Sequence, residues 1–160
     1  MVKTTHYKSL ISSDIASFSY DFIKNNTKWI DSIYSKKSKS ISRKAYSSNL
    51  IFSENDIDNY ISELIINIMK KIDIIDKYLL LGTYVNYYRD GNDFAPAHSH
   101  PKQVQLVISL GTTRQLKIGK KIYNMESGDV IIFGSGTHEI LQDKEITEGR
   151  ISIATFMIEK

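Results

Sequence analysis

Three of the four histidines in this 160-residue chain fall in its second half, at a spacing that suits a metal ion. His98 and His100 stand at i and i+2, so on an extended segment both imidazoles point to one face. His138 follows the stretch Gly128-Asp129-Val-Ile-Ile-Phe-Gly-Ser-Gly-Thr, which has the form of a turn, a buried strand and a second turn. Two ligands from one strand and a third from a distant one meet on an ion only where the sheet curls, as in a jelly roll. Imidazole suits iron, zinc, copper or nickel, so the residues leave the metal open. An H-x-H pair on its own is also ordinary decoration of a strand surface; the third histidine is what favours a metal. His6 lies apart, near the start. There is no cysteine, which excludes thiolate nucleophiles, disulfides, zinc ribbons and iron–sulfur clusters.

Arg150 opens an otherwise apolar closing strand, Ile151-Ser152-Ile153-Ala154-Thr155-Phe156. A guanidinium facing a barrel interior needs an anionic partner. The carboxylate of a small dicarboxylic cosubstrate matches its planar fork, while a salt bridge at the strand end is the plainer alternative. Asn86 and Tyr88, again at i and i+2, share one face of the strand before the histidine pair. They would hydrogen-bond one small ligand, or belong to an ordinary strand with one ring in the core. Asp90, Asp93, Glu139 and Asp143 are the nearby carboxylates for a fourth ligand, and Gln142 shares the face of His138.

These residues need a frame. Apolar residues recur at three- and four-residue steps over Ser13 to Ser35 (Ile15, Phe18, Phe22, Ile30, Ile33), which predicts a first helix capped by Ser12 or Ser13. A second helix is predicted over Glu54 to Lys71, with Ser53 as N-cap and a stripe of Ile57, Tyr60, Ile61, Leu64, Ile65 and Ile68. From residue 78 the pattern becomes short β-rich runs: 78–88, 103–110, 114–118, 121–125, 129–133, 138–142 and 150–158, with glycine turns between most of them. The expected fold is α+β, a double-stranded β-helix (jelly roll) with N-terminal helices packed on one face of the sheet. It is one domain: 1–77 is helical support with a basic connection, and 78–160 is the core that carries the metal site.

That connection, Ser35-Lys-Lys-Ser-Lys-Ser-Ile-Ser-Arg43-Lys44-Ala-Tyr46, reads as a solvated loop or as a contact for phosphates. The net charge of +3 permits a polyanionic partner without demanding one. No run of 18 apolar residues spans a membrane, and the first residues lack the apolar centre of a signal peptide. A cytoplasmic or nuclear protein is expected; oligomeric state is left open.

The stretch Asn86-Tyr-Tyr88-Arg-Asp-Gly91-Asn-Asp-Phe-Ala-Pro-Ala-His98-Ser-His100 resembles the core of the AlkB-type Fe(II)/2-oxoglutarate dioxygenases, with their Asn-x-Tyr, Gly and iron-ligand motifs in order. Val107-Ile-Ser-Leu-Gly111-Thr-Thr-Arg114 resembles their Ser-Leu-Gly-x-x-Arg turn, and Arg150-Ile-Ser-Ile-Ala-Thr-Phe resembles their closing strand. Ser42-Arg43-Lys44-Ala45 is similar to a segment near their substrate lid. The likeness covers roughly residues 78–158.

The resemblance implies iron ligation by His98 and His138, with His100 as the third ligand of the set. It implies 2-oxoglutarate contacts from Asn86, Tyr88, Arg150 and Ser152, and substrate contacts from Arg43, Lys44 and Tyr46. The implied cofactors are Fe(II), or another divalent metal, and 2-oxoglutarate; the implied substrate is a methylated nucleic acid. Three positions depart from the pattern. His100 stands where the family keeps an aspartate, Ser152 where it has asparagine, and Phe156 and Met157 occupy the region of its second arginine. The departures leave open two other expectations: a three-His cupin-type oxygenase without 2-oxoglutarate, and a metal-binding relative without activity.

Overall fold

The computed structural model describes residues 2–35, 40–48 and 55–160. In chain order its elements are β1 (Thr5–Tyr7), α1 (Ser13–Asn26), β2 (Ile30–Ser35), β3 (Ser40–Ser48), α2 (Asp56–Lys71), β4 (Tyr78–Tyr88), β5 (Ala95–His98), β6 (Val104–Gly111), β7 (Arg114–Ile118), β8 (Lys121–Met125), β9 (Val130–Phe133), β10 (His138–Ile140) and β11 (Arg150–Glu159). A seven-stranded sheet runs β1-β9-β6-β11-β4-β3-β2, and a four-stranded sheet runs β5-β10-β7-β8. The ladders are antiparallel. This is the double-stranded β-helix expected from the strand pattern, with both helices on one face of the larger sheet.

Strand alternation sorts the residues of the large sheet into two layers. Leu106, Ile108, Leu110, Val130, Ile132, Ile151, Ile153 and Met157 face the helices, packing with Ile23, Ile57, Ile61 and Ile65. The intervening residues Tyr88, Val107, Ile131, Phe133 and Ala154 face the small sheet, where Leu116 and Ile140 meet them. Both faces are covered, so β6 is buried from Val104 to Leu110 and β9 along its whole length.

The first 77 residues are less helical than their periodicity predicts. Helix α1 stops at Asn26, where Thr27 turns extended and its N–H caps Ile23. Asn25, Asn26 and Thr27 are poor helix formers, and the β-branched Ile30 and Ile33 continue as strand β2, exposed at the sheet's edge. Ser12 is the N-cap. The buried stripe of α1 is Ala16, Ser19 and Ile23, and Ile15 and Phe18 lie exposed. Helix α2 is capped by Asn55; Ser53 lies outside the described residues. The expected basic connection is mostly strand, since β2 and β3 pair as a hairpin. Its Lys36, Lys37 and Lys39 also lie outside the described residues.

Asp129 ties the N-terminal strand to the barrel. Its buried carboxylate accepts from His6 Nε2 at 2.8 Å and from the Ser9 and Glu126 backbone N–H groups at 2.9 and 3.1 Å. His6 therefore has a structural role away from the other histidines.

Candidate metal centre and cosubstrate pocket

His98 and His138 meet because β5 and β10 are neighbours in the small sheet and the two residues are direct cross-strand partners. Their ring centroids are 4.3 Å apart. His100 lies just beyond the end of β5, in the bend before Pro101, rather than on a continued strand. That bend still brings its ring centroid within 5.0 Å of His98 and 5.6 Å of His138. One nitrogen from each ring can be chosen so that all three lie within 4.8 Å of one another.

Backbone carbonyls fix the tautomers. His98 Nδ1 donates to Pro96 O at 2.7 Å and His138 Nδ1 donates to Gly136 O at 3.0 Å. A carbonyl only accepts, so each Nε2 carries the free lone pair a metal requires. Burial pushes the His138 pKa down to about 4, against the raising effect of the Gly136 carbonyl, with His98 and His100 adding to the fall. Burial, then His98, also lowers His100. Both shifts favour the neutral imidazole, the form in which a histidine binds a metal.

A cavity of about 350 Å³ runs from these rings between the sheets, and its lining includes Arg43, Tyr84, Asn86, Tyr88, Arg150 and Ser152. Arg150 is fully buried. Its Nε donates to Ser109 Oγ at 2.9 Å, while both terminal nitrogens lack a hydrogen-bond partner. The guanidinium lies 5.4 Å from the Tyr88 ring centroid. Burial lowers its pKa to about 10; the Tyr88 phenol opposes that fall and Arg114 reinforces it. A charged group buried with two open donors is costly unless an anion meets it.

Asn86 is not free in this state. Its Oδ1 accepts from Arg43 Nε at 2.7 Å, and its Nδ2 donates to Ser152 Oγ at 3.3 Å. Of the three residues expected to contact substrate, Arg43 lines the cavity. Lys44 pairs instead with Asp31, and Tyr46 donates to Asp58 on α2 at 2.8 Å. Alternation along β3 turns these two toward the helices, so the structure does not bring them to the pocket.

The neighbouring carboxylates are already engaged. Asp93 grips Arg89 at 2.8 and 3.0 Å, Asp90 accepts from Asn92 N, Asp143 accepts from Glu145 N, and Glu139 lies 3.8 Å from Lys117. Gln142 donates to Asn92 O at the surface and does not reach the histidines.

Arg114 holds the loop that leads into β5. It is buried and donates to the carbonyls of Asp90, Asp93 and Leu141 at 3.0, 2.6 and 2.9 Å. Gly91 allows the opposite loop to close on the same place, since a Cβ there would lie 1.5 Å from Asp143 O.

Sequence reasoning missed Gln105, which is 2% exposed and lines the cavity with its Nε2 3.4 Å from His138 Nε2. A polar residue inside the apolar run Val104–Leu110 was the available signal. It also missed Ser109, the partner of Arg150.

No protein-family model matches the chain, and no curated protein matches it. Solved structures do. A prolyl-4-hydroxylase from Pseudomonas putida aligns at 12% identity, with 98% of this chain and 92% of that one covered and a TM-score of 0.60. An oxidoreductase of the 2OG-Fe(II) oxygenase family from Burkholderia pseudomallei aligns at 14% identity over 97% and 84%, with a TM-score of 0.64. The non-haem alpha-ketoglutarate-dependent epimerase SnoN from nogalamycin biosynthesis aligns at 8% identity over 97% and 77%, with a TM-score of 0.65. At these identities the likeness establishes the fold.

Proposed function

We propose that the chain is a non-haem Fe(II)- and 2-oxoglutarate-dependent oxygenase, of AlkB-like type on its motifs. The observation that carries the reading is Arg150, a buried guanidinium with two open nitrogens in the cavity that the three histidines enter. Of the structural neighbours, one is named as a member of the 2OG-Fe(II) oxygenase family and another as an alpha-ketoglutarate-dependent epimerase.

His98, His100 and His138 would hold the ion, the first and last through Nε2. Fe(II) with 2-oxoglutarate would supply O2 activation, the cosubstrate leaving as succinate and CO2. Arg150 would take the far carboxylate of the cosubstrate in a two-point contact, with Ser109 fixing its Nε and Tyr88 flanking it. Val107, Leu116 and Ala154 line the cavity with apolar surface and keep water from the reacting groups.

Arg43 is the residue we assign to the primary substrate. It uses Nε on Asn86 and Nη1 on Ser42, which leaves further N–H donors for a phosphate or carboxylate. A methylated nucleic acid supplies such a phosphate, and hydroxylation of its N-methyl group would give an N-hydroxymethyl group that leaves as formaldehyde, so that the base is demethylated.

Titration of the metal-free protein with Fe(II) and then 2-oxoglutarate without oxygen tests the reading. The expected result is the weak visible band of an iron chelate, lost in Arg150→Ala. Succinate release that rises with a methylated oligonucleotide would support the nucleic-acid substrate; a response only to small acids would replace it.

The three neutral imidazoles support a second reading, a three-His oxygenase that takes no 2-oxoglutarate. Fe(II) binding with no response to 2-oxoglutarate, and O2 uptake with a chelating substrate alone, would favour it. His100→Asp separates the two: activity rises under the first reading and falls under the second.

A further inference from the structure

We infer that Gly82 and Phe156 form a slot for a flat, unsaturated ring on the primary substrate; the inference rests on the oxygenase reading above and names the group that enters it. Gly82 lies in the interior of β4, where a strand gains from a side chain. Its backbone does not call for glycine, since the positive-φ glycines are Gly111, Gly119 and Gly128. The register shift beside it, between Phe156 and Met157, accepts other residues outside the left-handed region. Crowding does not call for glycine either. Among the described residues, no atom lies within 4 Å of the place a Cβ would take. A strand glycine with neither cause marks a place where something from outside comes close to the backbone.

Gly82 is the cross-strand partner of Phe156. It continues the row of Tyr84, Asn86 and Tyr88, which line the cavity. The two flanks of Phe156 differ. On β6 its partner is the buried Gln105, which fills that side; on β4 its partner has no side chain. Neighbouring strands lie about 4.8 Å apart. A ring standing over Gly82 is therefore about one strand spacing from the Phe156 ring, inside the range of about 4.5–7 Å for stacked aromatic pairs. A puckered or branched group gains no stacking there.

The slot opens beside the metal centre, because the Phe156 ring centroid is 4.8 Å from that of His100. It also opens to solvent along an apolar path. Met157 faces the helices, so alternation returns Ile158 and its partner Leu79 to the face of Phe156. Leu79 is 49% exposed and Ile158 half-buried. An apolar ring arriving over these two residues reaches Gly82 without crossing a charged side chain on either strand, while Arg43 stays on the β3 side for an anionic group of the same substrate.

Two ring-bearing probes, an N-methylated adenosine and benzyl alcohol, test the slot without turnover, on protein loaded with Mn(II) and 2-oxoglutarate in the absence of oxygen. Broadening of the probe's proton resonances by Mn(II) reports both binding and closeness to the ion. Gly82→Leu fills the slot. It is expected to weaken binding of the nucleoside about tenfold or more, the factor that loss of one stacked base costs, with Mn(II) and 2-oxoglutarate bound as in the wild type. Phe156→Leu should weaken binding too, and Phe156→Tyr should restore it. Cyclohexylmethanol, the puckered counterpart of benzyl alcohol, should not compete. Equal binding in the wild type and Gly82→Leu, equal competition by the two alcohols, or a loaded wild type that broadens neither probe would overturn the inference. If Gly82→Leu does not fold, the Phe156 pair and the two alcohols carry the same comparison. Broadening of benzyl alcohol alone would keep the slot and remove the nucleobase as its occupant. A wild-type protein that takes up neither Mn(II) nor 2-oxoglutarate would sink the oxygenase reading itself.

Discussion

Arg43 Nε donates to Asn86 Oδ1 across 2.7 Å, and this bond occupies the acceptor that the sequence assigns to a cosubstrate. Asn86 thus positions a guanidinium at the cavity. Replacing Asn86 with Ala releases Arg43 and leaves Ser152 Oγ without its donor. A loss of about 1–2 kcal/mol in urea unfolding is expected. In turnover, KM for the primary substrate should rise more than kcat falls, and Arg43→Ala should show the same split. A large kcat effect with unchanged KM would contradict the positioning role.

Arg150 should separate stability from binding. Its two terminal nitrogens have no hydrogen-bond partner in the protein, so its buried charge is costly, and an apolar residue of similar length removes that cost. Arg150→Met is expected to unfold at the same temperature as the wild type or higher. 2-Oxoglutarate should raise the melting temperature of the metal-loaded wild type, by the linkage of ligand to folded state, and leave the variant unmoved. Equal shifts in both proteins would mean that the carboxylate sits elsewhere.

Arg114 carries the opposite expectation. Its donors satisfy the carbonyls of Asp90, Asp93 and Leu141. Arg114→Met leaves three acceptors unpaired under the loop that leads to His98, at a cost of about 3 kcal/mol or more. Melting temperature should fall, and metal affinity should fall with it because the loop no longer fixes β5. Retention of full metal affinity in a destabilised Arg114→Met would confine the role of Arg114 to folding.

The metal-free protein should lose stability in mild acid. Burial holds His138 at about 4, whereas an unfolded histidine titrates near 6.5. The unfolded chain therefore takes up the proton first. This contribution to stability is full above about pH 6.5, declines as pH falls and is spent near the folded value, amounting to at most about 3 kcal/mol. Unfolding curves between pH 7 and 4 measure it. A flatter profile in His138→Gln is expected, and an identical slope in both proteins would assign the acid loss to other groups.

The β half was legible because its signals are local. Alternating or continuous apolar runs, punctuated by glycine turns, place β4 and β6 through β11 within a residue or two of their observed ends. The histidine cluster was legible as residue types at a spacing. The N-terminal half was less so: Ile30 and Ile33 keep a helix-like interval while lying on an exposed edge strand. Their state is set by pairing with β3, which no local pattern records.

By itself, then, the sequence determined which residues share a face along one strand, Asn86 with Tyr88 and His98 with His100, and the absence of a carboxylate at His100 in an otherwise familiar motif. Only the tertiary structure decided which polar atoms are left over. Ser109 takes one donor of Arg150 and leaves two open, Arg43 takes the Asn86 acceptor, Asp58 draws Tyr46 away to the helices, and Gln105 arrives beside His138 from a strand of the opposite sheet. A hydrogen bond depends on which two chain segments meet at about 3 Å. Spacing along one segment says which face a side chain takes; the partner waiting on the other side is supplied by the fold.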